Sequence, residues 1–87
     1  MRPQVAHMRD LQVYVVAAGS DARGECTAFY SRRADGPYYR WRYVESSGRW
    51  LYSRVRLDRP AQRVLCVARW DAIPTALRNR LGEHYLE

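Results

Sequence analysis

Two turn signals, Asp35-Gly36-Pro37 and Ser46-Ser47-Gly48, are separated by the length of one strand and leave this chain few possible folds. Asp-Gly favours a two-residue hairpin because both positions tolerate positive φ. A loop that ends in glycine favours a three-residue hairpin with the glycine in the left-handed conformation. Alternating aromatic and arginine residues flank both signals. Three consecutive antiparallel strands are therefore predicted around these turns.

Two further strands are predicted outside this stretch. Residues 11–18 are rich in β-branched side chains and are followed by Gly19-Ser20-Asp21, while residues 63–70 have the nearly continuous apolar character of a largely buried strand. Asp58-Arg59-Pro60-Ala61 is predicted to end the preceding strand. The five predicted strands cover residues 11–18, 25–33, 37–45, 49–57 and 63–70.

After Trp70 the apolar period changes from two residues to nearly four. Ile73, Leu77, Leu81 and Tyr85 recur every four residues, which is the spacing of one helical face. Asp71 is predicted to cap this helix, and Pro74 fits its first turn.

The sequence therefore predicts an α+β fold, an antiparallel four- to five-stranded β-meander with one C-terminal α-helix packed on the sheet. Residues 1–10 are predicted to be a flexible N-terminal lead-in, and residues 11–87 a single small domain. A chain of 87 residues has room for one hydrophobic core only. The pattern does not decide which face of the sheet the helix covers.

The charge of the chain favours anionic partners. It has 15 basic and 9 acidic side chains, a net charge of +6, and every basic residue is arginine. Guanidinium groups bind phosphate and carboxylate bidentately and stack on aromatic rings, which ammonium groups do less well.

Strand alternation sorts the predicted third and fourth strands onto two faces. The predicted core face holds Tyr39, Trp41, Tyr43, Leu51 and Val55. A three-residue loop would place Arg40 opposite Arg54, and this repulsion would be relieved by an anion lying across the other face. The residues predicted to contact nucleic acid or another anionic partner on that face are Arg33, Arg40, Arg42, Arg54, Arg56, Tyr38, Trp50 and Tyr52.

Three interpretations of this second face stay open. Arginine and tyrosine are common on a solvated sheet face, where their stacking can be purely structural. The same residue types are enriched in protein interfaces, which would make the chain a protein-interaction module, such as a small regulator, an inhibitor or a homodimer. They also suit single-stranded nucleic acid, whose phosphates meet guanidinium groups while its bases stack on aromatic rings. The hypothesis adopted here is a single-stranded DNA or RNA binder, with an acidic protein surface as the alternative partner.

Catalysis is not expected. His7 lies in the predicted lead-in and His84 is predicted on the helix surface, so neither has a visible nucleophile or carboxylate partner. Cys26 and Cys66 are predicted to be buried, reduced thiols, and their positions lack zinc-ligand spacing. No metal or cofactor is expected.

A membrane partner is not expected either. The longest apolar run, residues 13–18, is far too short to cross a bilayer. Residues 1–10 lack the apolar segment of a signal peptide. These two observations predict a soluble, cytoplasmic protein.

Overall fold

Five strands form one antiparallel sheet in the computed structural model, which describes residues 10–16 and 28–85. The strands are β1 (Leu11–Val16), β2 (Ala28–Arg33), β3 (Tyr38–Val44), β4 (Arg49–Val55) and β5 (Leu65–Val67), and their order in the sheet is β4-β3-β2-β1-β5. The helices are α1 (Arg59–Arg63) and α2 (Thr75–Tyr85), with a 3-10 helix at Trp70–Ala72. The predicted α+β fold, a meander followed by a C-terminal helix, is confirmed.

The fifth strand lies at the far edge of the sheet, next to β1. Tyr14 of β1 pairs with Val67 of β5, so β4 remains an edge strand. The prediction of a long, largely buried strand over residues 63–70 was wrong, because β5 has 3 residues and Val67 is 66% exposed.

The missed helix α1 explains why β5 starts late. Asp58 is its N-cap, and the Asp58 Oδ1 atom accepts a hydrogen bond from the Ala61 N–H at 2.9 Å. Pro60 lies in the first turn, where its missing N–H costs nothing. These same residues were predicted only to break β4, although an Asp cap followed by Pro is a helix start signal.

The β3–β4 hairpin has a register one residue away from the predicted one. Val44 pairs with Arg49, so the loop contains residues 45–48 rather than three residues. Gly48 has a φ of 66° and donates its N–H to the Val44 carbonyl at 2.8 Å. Arg40 consequently lies opposite Ser53, and the predicted repulsion with Arg54 is absent from this pairing.

The β2–β3 hairpin is shifted in the same way. Asp35 takes the left-handed conformation, with a φ of 61°, and Gly36 donates its N–H to the Arg33 carbonyl at 2.8 Å. Phe29 lies opposite Trp41 instead of Arg42. Because side chains alternate between faces, a shift of one residue moves a whole strand to the other face relative to its neighbour.

Helix α2 covers the face of the sheet that contains Trp41. Leu77 and Leu81 confirm the predicted helix face, since both are buried. Ile73 was predicted within the helix, but it lies before α2 in an extended conformation and is buried as well. The other buried apolar residues are Val13, Phe29, Trp41 and Trp50. Leu51 and Val55, predicted in the core, lie on the opposite face because of the register shift.

A buried hydroxyl group joins the sheet to the end of α2. Ser31 is fully buried, the Trp41 Nε1–H donates to its Oγ at 2.9 Å, and the Tyr85 Oη lies 2.7 Å from the same atom. Asp71, predicted to cap this helix, lies in the 3-10 helix and forms an exposed ion pair with Arg69 at 3.2 Å.

The stability of the protein is expected to fall above about pH 10 because of Tyr85. Burial raises the pKa of this phenol above its ordinary value of 10.0. The folded state therefore favours the neutral phenol more than the unfolded state does. This contribution is full below the unfolded pKa and is lost as the pH rises through the folded pKa.

Urea unfolding followed by circular dichroism at about pH 7 and about pH 10.5 tests this expectation, since the ordinary tyrosine pKa lies between them. Tyr85→Phe should cost about 1 kcal/mol at neutral pH, for the lost hydrogen bond to Ser31, and should lose less stability than the wild type on going to alkaline pH. Equal alkaline losses in the two proteins would show that Tyr85 is not the responsible group.

Three further predictions concern the remaining residues. Cys66, predicted to be buried, is an exposed free thiol because β5 lies at the sheet edge. Cys26 and residues 1–9 of the predicted lead-in lie outside the described residues.

None of the helices in residues 10–16 and 28–85 is long and apolar enough to cross a membrane.

Candidate functional site

The face of the sheet opposite α2 carries most of the strand arginines, and we call it the open face. Its central row runs across four strands, from Tyr14 to Tyr30, Arg40 and Ser53, each paired with the next. The open face consists of Gln12, Tyr14 and Val16 of β1, Ala28, Tyr30 and Arg32 of β2, Tyr38, Arg40, Arg42 and Val44 of β3, Arg49, Leu51, Ser53 and Val55 of β4, and Leu65 and Val67 of β5.

The open face is positively charged. It holds Arg32, Arg40, Arg42 and Arg49, and none of the residues in the five strands is acidic. The ion pairs that join two described residues are Arg69–Asp71 and Arg80–Glu83, neither of which involves this face. Asp35 is near enough to Arg32 to help raise its pKa, but no ion pair among the described residues neutralises the arginines of this face.

Arg40 lies in the middle of this face. It is half-buried between Tyr30 on β2 and Ser53 on β4. Its Nε atom is buried and has no hydrogen-bond partner among the described residues. The Arg78 Nε atom, outside the open face, is in the same situation, so this feature does not by itself mark Arg40 as a binding residue.

A second cluster joins β1, β2 and β3 at one end of the open face. The Arg32 Nη1–H donates to the Tyr38 Oη at 3.1 Å, and the guanidinium carbon lies 4.6 Å from the centroid of the same ring. The Tyr14 ring lies 6.1 Å from the Tyr38 ring. The hydrogen bond to Tyr38 is the main cause that raises the pKa of Arg32. The guanidinium is thus held in place and stays charged.

Sequence reasoning missed Arg32 and Tyr30 because it placed β2 in the wrong register. The alternation of β2 was visible, since Tyr30 and Arg32 are two residues apart. Phe29 and Trp41 are both bulky and apolar, which favours pairing them with each other. That pairing would have placed Tyr30 and Arg32 on the open face with Arg40.

Among the predicted site residues, Tyr38, Arg40 and Arg42 lie together on the open face. Trp50, predicted beside them, is instead buried beneath α2, where its ring packs edge-on against Phe29 at 5.7 Å. This is a correction to the predicted face, and its cause is the longer β3–β4 loop.

Tyr52 and Arg33 also lie on the α2 side of the sheet. The Tyr52 ring is 4.4 Å from the ring of His84, a half-buried residue that was predicted to be on the surface. Arg33 donates from Nη2 to the Tyr85 carbonyl at the end of α2, and its guanidinium lies 5.4 Å from the Tyr85 ring. Both residues therefore have contacts within the fold.

Arg54 was predicted on the binding face, but it lies on the α2 side of the sheet, because it pairs with Tyr39, which packs against the core there. Arg56 follows the last residue of β4 and is not part of the open face. Both line a cleft that also includes Arg32 and Tyr38, at the end of the sheet next to the β2–β3 hairpin.

In the described part of the chain, no three His, Cys, Asp or Glu side chains lie close enough together to hold a metal ion. Comparisons with protein-family models, curated proteins and solved structures give no match for this chain. The candidate function therefore depends on the geometry of the open face.

Proposed function

We propose that this protein binds single-stranded DNA or RNA across the open face of its sheet. The observation that carries the proposal is the composition of this face, on which Arg32, Arg40, Arg42 and Arg49 accompany three tyrosines, and no residue of the five described strands is acidic. Guanidinium groups can pair with phosphates bidentately, and tyrosine rings offer stacking surfaces for bases.

The distribution of the charges suits an extended polyanion better than a single small anion. Arg40 and Arg42 are two residues apart on β3, a separation of about 6.6 Å along a strand. Arg32 lies on the neighbouring strand on one side and Arg49 on the other. Several phosphates of one strand could therefore be contacted at the same time.

The tyrosines favour unpaired bases. Tyr14 and Tyr30 are adjacent on β1 and β2, and Tyr38 lies near Tyr14. Stacking on an aromatic ring stabilises a bound base by about 1 to 3 kcal/mol, but it requires a base face that a duplex does not expose. The proposal is therefore specific for single strands.

A protein-interaction module that uses the same face is the second candidate. Leu51 is 42% exposed and Val67 is 66% exposed, and both belong to the open face. Exposed apolar side chains among arginines and tyrosines are features of a protein interface. An acidic protein surface or a second copy of this chain would be the partner in that case.

The salt dependence of binding separates the two candidates. Fluorescence anisotropy of labelled single-stranded 12-mers of DNA and RNA should show a log-log salt slope of about -3, which corresponds to about four phosphate contacts. Binding should therefore weaken about 50-fold between about 50 and about 200 mM salt. A duplex of the same sequence should bind less tightly, because its bases cannot stack on the sheet.

Failure to bind either single strand at about 50 mM salt would reject the nucleic-acid proposal, since electrostatic binding is strongest at low salt. Equal affinity for the single strand and the duplex would show that only charge is recognised.

A further inference from the structure

A cleft of about 510 Å³ lies at the end of the open face next to the β2–β3 hairpin. Three arginines line it, Arg32 from β2, Arg54 from β4 and Arg56 just beyond β4. Tyr38 and Gln62 also line it, and none of the described residues that line it is acidic. Arg32 comes from the open face and Arg54 from the α2 side, so the cleft lies at the end of the sheet, where positive charges from both sides attract an anion.

Two of the polar groups in this cleft are already held by the fold. The Arg32 guanidinium is fixed by Tyr38, and its Nη2 has no hydrogen-bond partner among the described residues. The Gln62 Nε2–H donates to the Leu57 carbonyl at 2.9 Å. A ligand would therefore meet groups whose positions are partly set before it binds, which lowers the entropic cost of binding.

Arg54 and Arg56 differ from Arg32 in this respect. Both are exposed, and neither forms a hydrogen bond or an ion pair with a described residue. Their guanidinium groups are available to an incoming anion.

We infer that this cleft binds a phosphate monoester, the phosphorylated end of a nucleic-acid strand that lies on the open face. The inference rests on the proposed function for the strand itself. A monoester carries a charge of about -1.5 to -2, whereas each internal phosphodiester carries a charge of about -1, so the positive charge at this end of the sheet favours the strand end. The cleft volume is within the range of about 300 to 1,000 Å³ typical of small-molecule sites, which leaves room for the terminal nucleotide.

The position of the cleft supports this assignment. Tyr38 belongs both to the cleft and to the open face, as do Arg32 and Val55. A nucleic-acid strand that crosses the open face towards the β2–β3 hairpin would therefore reach the cleft at these shared residues. Pro37 and Leu57 line the cleft as well and could pack against the last sugar and base.

Three 12-mers of one sequence test the inference, with a 5′-phosphate, a 3′-phosphate or neither. One of the two phosphorylated strands is expected to bind at least about 10-fold more tightly than the unphosphorylated strand at about 150 mM salt, a gain of about 1.4 kcal/mol. Arg56→Gln should reduce this ratio to less than about 3-fold, because a charge-assisted contact is removed. Arg59→Gln is the matched control, since Arg59 in α1 is exposed and does not line the cleft, and it should keep the ratio of the wild type.

The outcomes separate this inference from the proposed function. Equal binding of the three strands would overturn the inference and leave the open face as the nucleic-acid site. A titration of the ¹⁵N-labelled protein with inorganic phosphate gives the second measurement, with shifts expected at Gly36, Arg56 and Gln62. Phosphate binding there without any strand binding would reject the open-face proposal and the strand end as the ligand, leaving a site for a small phosphate.

Discussion

Replacing Trp41 with alanine is expected to lower the free energy of unfolding by about 3 to 5 kcal/mol. Trp41 is 0% exposed and lies between the sheet and α2, among the residues that form the core. Its Nε1–H also donates to the buried Ser31 Oγ. The substitution removes the largest fully buried side chain of the described residues and leaves a cavity that the surrounding strands cannot close.

Urea unfolding followed by circular dichroism measures this loss. A domain of this size has a total stability of only about 4 to 13 kcal/mol, so Trp41→Ala could be unfolded without denaturant. Trp41→Phe keeps the measurement informative, because it retains much of the ring and should cost less. Trp70→Ala is the control for loss of a tryptophan, and it should cost under about 1 kcal/mol because Trp70 is 47% exposed. A Trp41→Ala cost as small as that of Trp70→Ala would mean that α2 does not cover this face.

Replacing Arg40 and Arg42 with glutamine is expected to weaken binding of a single-stranded 12-mer about 100-fold at about 50 mM salt. Each charge-assisted contact contributes about 1.4 kcal/mol, or a factor of about 10. The log-log salt slope should fall from about -3 to about -1.4, because two of four phosphate contacts are lost. Arg40 and Arg42 are adjacent on the open face of β3, so the two substitutions remove the centre of the proposed site.

A matched double variant shows whether position or total charge matters. Arg63→Gln/Arg69→Gln removes the same charge from two exposed residues that lie outside the open face. It should weaken binding by less than about 3-fold, since screening limits the influence of distant charges. Equal losses in the two double variants would show that the net charge of +6 alone attracts the nucleic acid. Thermal unfolding of both variants confirms that they are folded.

The elements with one strong period were predictable. Helix α2 has Leu77, Leu81 and Tyr85 at every fourth position, and Leu77 and Leu81 are buried as that spacing requires. In β3, the aromatic residue Trp41 alternates with Arg40 and Arg42, so only one assignment of its faces buries tryptophan and exposes arginine.

Strand β4 was not predictable in this way because both of its faces contain apolar residues. Trp50 and Tyr52 alternate with Leu51 and Val55, so the core face could be either set. The choice depends on the β3–β4 loop, where a four-residue connection through Gly48 replaces the expected three. Because the loop has one more residue than predicted, Trp50 lies in the core and not on the predicted binding face. For the same reason Leu51 is exposed and not in the core.

The fold class, the C-terminal helix and the two faces of β3 followed from local periods in the sequence, because only one packing satisfies each of them. No local period predicts the register of either hairpin, the place of β5 beside β1 or the face that α2 covers. These depend on loop lengths and on contacts between residues far apart in the chain, such as Phe29 with Trp50. Pairing between strands also sets which side chains share a face. It places Tyr14, Tyr30, Tyr38 and Arg32 on the same face as Arg40 and Arg42.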